Sequence, residues 1–175
     1  MKPVERIEDK STPQGDSIAQ LLKALRHTPI ELEQLVTGLS EGQMRVRRST
    51  DEFSVTESLC HLRDIEIEGY KVRIQRILGE DEPRLPDLDG GRLALERAYN
   101  TQSPTQALKD FQDARSENLG VLDQIQKPEL AREGNLEGVG TISLEKLVGL
   151  MQEHDEGHLS ELRVLRRWIE ASTEY

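Results

Sequence analysis

The strongest constraint on this chain is the way its apolar stripes begin. Ser17 is followed three residues later by Gln20, Ser54 by Glu57, and Ser103 by Gln106 with Pro104 directly after the serine. A serine and a Glu or Gln at this spacing can each satisfy a backbone N–H left free in the first turn of a helix, and proline fits the first helical position. Behind the first start, Ile18, Leu21, Leu22, Leu25, Leu32, Leu35 and Leu39 recur near a helical repeat. Pro29 interrupts that run and predicts a kink or break. A second helix is expected from Ser54 to about Leu78, before Gly79. A third carries Leu108, Phe111, Leu122 and Ile125 and stops before Pro128, and a fourth runs from near Ser143 to about Ile169. No segment alternates apolar and polar residues long enough to argue a sheet. The reading is all-α: a four-helix bundle.

Composition limits what such a bundle can be. Of 175 residues, 35% are hydrophobic and 32% charged, which suits one modest core under amphipathic helices. Residues 1–15 read as a flexible tail, and residues 16–175 as a single domain. The formal charge of −10 argues against nucleic acid as a partner, because phosphate binding draws on Lys and Arg. The basic clusters Arg45–Arg48 and Arg163–Arg167 are short and set among acids. No apolar run approaches the roughly 18 residues of a membrane span, and the N-terminal residues lack the apolar stretch of a signal peptide. A single cysteine, Cys60, excludes an internal disulfide framework and fits a reducing cytoplasm. Two long connections stand out. Residues 79–102 are expected to hold a turn at Gly90-Gly91 and a short helix around Leu93–Tyr99, and residues 127–142 contain Gly134, Gly138 and Gly140. Such lengths imply at least one long crossover, and loops that long often line a site.

The fourth helix carries the chemistry. One seam reads Leu144, Leu147, Met151, His154, His158, Glu161, Leu165 and Trp168, so two imidazoles four residues apart occupy layers that normally hold leucine. Buried imidazoles need partners. They are either a core pair hydrogen-bonded to carboxylates and water, or two ligands of one metal ion. Of the two remaining histidines, His27 lies beside Pro29 at an exposed or kink-side position. His61 falls off the stripe defined by Val55, Leu59, Leu62, Tyr70 and Ile77, whereas Glu66 falls within it. His61 can face the interior only if the second helix is buried on more than one side.

The array Phe53-Ser54-Val55-Thr56-Glu57, then His61-Leu62-Arg63-Asp64-Ile65-Glu66, and finally His154-Asp155-Glu156-Gly157-His158, resembles the DinB/YfiT-like superfamily over most of residues 16–170. The resemblance implies a four-helix bundle with an unusual crossover topology and a divalent metal held by His61, His154 and His158. Zn or Ni fits such a site best, with Fe or Mn as further options. Two positions depart from the family pattern: Phe53 stands where Trp is common, and Gly157 sits mid-helix between the paired histidines, making room for a ligand or a facing helix.

Three histidines would leave a coordination position open for water or substrate, as in catalytic rather than structural zinc. Metal-bound histidines usually pass their second N–H to a carboxylate or carbonyl. Asp64, Glu66, Glu57 and Asp155, with Glu161, are the candidates for that task. The zinc-protease pattern H-E-x-x-H is absent because Asp155 stands where its glutamate would be, and no Glu-x-x-His pair of a di-iron bundle occurs. Cys60 adjoins His61 but points about 100° away around a helix and reads as a buried spectator. The resemblance therefore implies a metal-dependent hydrolase acting on a small molecule. The alternatives are an S-transferase using a low-molecular-weight thiol such as bacillithiol, mycothiol or glutathione, and a non-catalytic stress-linked metal-binding module. It also implies a homodimer.

Overall fold

The computed structural model describes residues 17–173, so the tail expected over residues 1–15 lies outside the described residues. Helix α1 spans Ile18–Val36 and is followed by a single turn, α2, at Glu41–Met44. Helix α3 (Val55–Asp64) passes through a π-helical segment (Ile65–Tyr70) into α4 (Lys71–Gly79), forming one long rod. Strand β1 (Arg84–Leu85), helix α5 (Gly90–Glu96) and a 3₁₀ turn (Tyr99–Thr101) follow. Helix α6 covers Pro104–Leu122 and α7 covers Lys127–Leu130. Strands β2 (Glu133–Leu136) and β3 (Gly140–Ser143) then lead into α8, Leu144–Thr173.

The caps work as their spacing predicts at the first two starts. Ser54 Oγ accepts from Glu57 N (3.2 Å) while Ser54 N donates to Glu57 Oε2 (2.9 Å), and Ser17 N donates to Gln20 Oε1 (2.8 Å). At the third, Ser103 Oγ accepts from Gln106 N, but the Gln106 side chain turns to Asp110 Oδ1 at 2.7 Å instead of reaching back. The expected short helix lies earlier than Leu93–Tyr99: it opens at Gly90, so Gly90-Gly91 is helical and not a turn. A small sheet also forms that the sequence pattern did not show. Strand β1 pairs parallel to β2, and β2 pairs antiparallel to β3. Strands of two to four residues are too short to register as alternation. The sheet packs Leu85, Leu136 and Ile142 into the apolar core, and among the described residues none of the 127–142 connection lines the groove beside the histidines.

The long helices pack in a ring. Helix α1 lies against α8 and α6, and α3 lies against α6 and α8. The first and second rods are therefore diagonal, as are the third and fourth, and both diagonal steps need the long connections seen around α2 and through the β2–β3 hairpin. Among the described residues no helix is long and apolar enough to cross a membrane.

A charged layer divides the core. On α1, Thr28 lies between the buried Leu25 and Leu32. Glu66 lies between Leu62 and Tyr70, Arg115 between Phe111 and Leu119, and Asp155 between Met151 and Leu159. Arg115, 1% exposed, uses every guanidinium N–H. Its Nε and Nη2 donate to Glu66 Oε1 and Oε2 (2.9 and 2.8 Å). Its Nη1 and Nη2 donate to Asp155 Oδ2 and Oδ1 (2.6 and 3.1 Å), and Nη1 also donates to Leu25 O at 3.1 Å. That last carbonyl is the one a residue at position 29 would normally bond through its N–H. Pro29 cannot donate, so Arg115 takes the place of the missing bond and α1 continues unbroken through the proline. Burial opposes the Arg115 charge, but Glu66 and Asp155 outweigh it and raise its pKa above the ordinary arginine value. Thr28 Oγ1 donates to Asp155 Oδ2 (2.7 Å) and Asn118 Nδ2 to Glu66 Oε1 (2.8 Å), so the layer ties all four rods together.

Arg115→Met would strand two buried carboxylates and free the Leu25 carbonyl. Breaking a buried pair from one side typically costs ~3–5 kcal/mol. Urea unfolding followed by circular dichroism should show a loss of that order.

Candidate metal centre

Helix α3 is buried on almost every side: Val55 through Leu62 and Asp64 are all within the core. The stripe Val55, Leu59, Leu62 faces one neighbour, and His61, on another side of the same helix, faces α8. Helix α8 does not carry the imidazoles in the middle of its seam. The buried line runs Leu144, Leu147, Val148, Met151, Asp155, Leu159, Leu162 and Leu165, and His154 and His158 lie half-buried beside it. The shift follows from Asp155, which the Arg115 layer draws to the centre of the interface.

His61, His154 and His158 converge there. One ring nitrogen from each lies within 4.8 Å of the others, and among the described residues this is the one group of three or more such side chains so placed. His61 Nε2 and His154 Nε2 stand 3.1 Å apart. Ring centroids are 5.3 Å apart for His61–His154, 4.7 Å for His61–His158 and 4.6 Å for His154–His158. His158 Nδ1 faces Glu161 Oε2 at 3.1 Å, whereas the Nδ1 atoms of His61 and His154 are buried without a hydrogen-bond partner. Neither of those two rings is therefore half of a histidine–carboxylate pair. His27 is exposed and takes no part.

The four carboxylates expected to receive a histidine N–H have other partners. Glu57 caps α3 and accepts from Arg47 Nε at 2.8 Å. Asp64 accepts from Arg63 Nε (2.7 Å), Arg97 Nη1 (2.5 Å) and Tyr99 Oη (2.6 Å). Glu66 and Asp155 belong to the Arg115 layer. Guanidinium groups offer these acids fixed, charge-assisted donors that a neutral imidazole does not match. For both Glu57 and Asp64, burial works against the charge and the basic partners overcome it, leaving the pKa below the ordinary carboxylate range. The fifth acid, Glu161, is the one that contacts a histidine of the cluster. Cys60 is fully buried, and burial pushes its thiol up to about 11, in keeping with a spectator.

The surroundings hold the rings in place. Phe53 packs on His61 at 5.7 Å, and Tyr70 meets the edge of His154 at 5.9 Å. Gly90 abuts His61 directly, a contact no sequence pattern announced. Arg115, by contrast, left a signal: it is a charge placed among Leu108, Phe111, Leu119 and Leu122 on the apolar face of α6. Beside the cluster lies a groove of about 680 Å³ whose walls include Phe53, Ser58, Gly157, His158, Leu162 and Leu165, with Arg48, Asp51, Glu52 and Glu161 at its edge. A Cβ at Gly157 would meet nothing within 4 Å, so this glycine faces the groove and not a packed helix.

The sequence profile of the DinB superfamily matches residues 8–162. Among solved structures, the chain is similar to YfiT from Bacillus subtilis, described as a probable metal-dependent hydrolase with an unusual four-helix bundle topology. The two share 20% sequence identity with a TM-score of 0.82, over 94% of this chain and 95% of that one. No curated protein matches.

Burial, then the neighbouring imidazoles, lower the pKa of His61 to about 4 and of His154 to about 3. In metal-free protein the unfolded chain takes up protons near pH 6.5 that the folded rings refuse. Stability is then complete above about pH 6.5 and falls as pH drops towards 4. Urea midpoints measured from about pH 7 to 5 should decline in the wild type and decline less in His61→Asn and His154→Asn, in a window above the main carboxylate titrations.

Proposed function

This chain belongs to the DinB superfamily, and from that premise we propose that it is a metal-dependent hydrolase whose divalent ion is held by His61, His154 and His158. One observation carries the reading: three imidazole nitrogens from two distant segments meet beside an open groove. The donor set fits such an ion. Two ligands on a tetrahedral centre with bonds of ~2.0–2.1 Å lie ~3.3 Å apart, close to the 3.1 Å between His61 Nε2 and His154 Nε2. The depressed imidazole pKa values keep the lone pairs free at neutral pH. The description of YfiT supports the same activity.

A bound divalent ion would supply Lewis acidity and lower the pKa of a water molecule towards 7. The protein supplies the rest. Glu161 orients His158 through Nδ1, and Phe53 and Tyr70 brace the other two rings. Phe53, Leu162, Val164 and Leu165 offer an apolar wall to the body of a small-molecule substrate. Arg48 is already paired with Glu52 (2.8 and 2.6 Å), leaving Asp51 and Glu161 as the acidic groups at the edge, a setting that favours uncharged or cationic substrates over anionic ones. The groove speaks against a closed structural site, in which a fourth protein ligand would be needed. Zinc and nickel are the ions of this proposal, both of which imidazole ligands suit.

Elemental analysis of protein purified without chelator or nickel resin should find one divalent ion per chain. The His61→Ala/His154→Ala/His158→Ala variant should lose it and remain helical by circular dichroism. Stoichiometric metal in that variant would overturn the assignment. On a panel of chromogenic esters and amides, turnover without added thiol supports the hydrolase. Turnover only with a low-molecular-weight thiol would reassign the site to S-transfer.

A further inference from the structure

The structure assigns to Gly90 a positioning role for His61, an inference that deepens the metal reading above. Gly90 opens α5 and is half-buried against α3. An ideal Cβ at this position would lie 2.5 Å from His61 Nδ1 and closer still to Cε1, but 3.6 Å from Nε2. Carbon atoms pack at about 3.5–4.0 Å, so even a methyl group cannot be accommodated with the ring where it is. Gly90 therefore packs on the Nδ1–Cε1 edge of the imidazole and leaves Nε2 as the nitrogen that faces His154.

The backbone itself does not ask for glycine. Position 90 is in the first turn of a helix and has no positive φ, and within helices alanine is the better former by ~1 kcal/mol. Gly91, its neighbour, is the natural control: a Cβ there would meet only Asp89 Oδ1, at an ordinary 3.5 Å.

The segment also cannot retreat from the ring. Asp89 Oδ1 caps α5 by accepting from Arg92 N (2.9 Å), and Leu93 and Ala94 are buried in the core beside Leu59 and Cys60. Upstream, Arg73 Nη2 donates to Pro86 O (2.9 Å). Downstream, Arg97 Nη1 donates to Asp64 Oδ2 and to Glu68 Oε1 (2.5 and 2.6 Å). Phe53 stands on the ring from another side. A side chain at position 90 must therefore displace the imidazole and not α5. Ligand bonds of ~2.0–2.1 Å tolerate shifts of only a few tenths of an ångström.

The test compares Gly90→Ala with Gly91→Ala in the full chain. Titrated with Zn²⁺, Gly90→Ala should bind at least about tenfold more weakly than wild type, the scale seen when support of a ligand is lost. Its Co²⁺ visible spectrum should shift, and Gly91→Ala should match wild type in both. Imidazole ¹H–¹⁵N NMR of the metal-free proteins reads His61 whether or not an ion binds, and its resonances should move in Gly90→Ala alone. Wild-type zinc affinity with unmoved His61 resonances in Gly90→Ala would overturn the inference. Failure of the wild type to bind any ion would overturn the metal reading and leave the NMR comparison to decide Gly90. Should Gly90→Ala unfold, the same substitution in a His61→Ala background should restore folding, and a defect that persists there also overturns the inference.

Discussion

A single buried guanidinium, that of Arg115, holds the four rods of this bundle to one another. Its five N–H groups meet Glu66, Asp155 and the Leu25 carbonyl, and so bind the second, fourth and first rods to the third. Burying one cation with two carboxylates is expensive, because each ion gives up its water. The cost is offset here by full use of the guanidinium fork and by Thr28 and Asn118, which donate further hydrogen bonds to the two acids. An apolar layer of the same volume could be as stable; what the ionic layer adds is a set of directional hydrogen bonds that the observed register of the four helices satisfies.

That register is what the candidate metal centre uses. Asp155 enters the layer and turns α8 so that its neighbour His154 and, one turn on, His158 lie at the edge of the interface. Glu66 does the same for the second rod, five residues beyond His61. The histidines are thereby presented side by side next to solvent-accessible space, while the acids adjacent to them in sequence are occupied by arginines. The π-helical segment lies in the same stretch as Glu66, the kind of local irregularity often found near functional sites. The result is a cluster of three imidazoles beside an open groove, in which burial and the neighbouring rings hold the His61 and His154 pKa values well below the ordinary histidine value.

Much of this architecture is legible in the order of the residues. The Ser54–Glu57 box sets the start of α3, the leucine spacing identifies the long helices, and the pair His154–His158 on one face marks the place where chemistry is expected. Glu66 on an apolar stripe and Arg115 on another are charges out of place, which is how a buried ion pair looks in one dimension. Other features leave no such sign. Pro29 reads as a kink or a break, because nothing local reveals that an arginine far along the chain will take over its missing bond. The β-strands are too short to produce a periodic signal, and the first residues of α5 read as a glycine turn.

Capping and periodicity depend on residues a few positions apart, so the long helices, their starts and the placing of His154 and His158 on one face follow from the chain alone. Short motifs in a set order likewise carry the likeness to the DinB superfamily, and with it the expectation that His61 joins the pair. Folding in three dimensions settles the rest. It buries α3 on nearly all sides and so turns His61 towards α8, matches each buried acid with an arginine, and lays Gly90 against the His61 ring. Most of those are contacts between residues tens of positions apart, governed by which faces of the rods meet, and helical periodicity does not encode which of several buried faces will meet which partner.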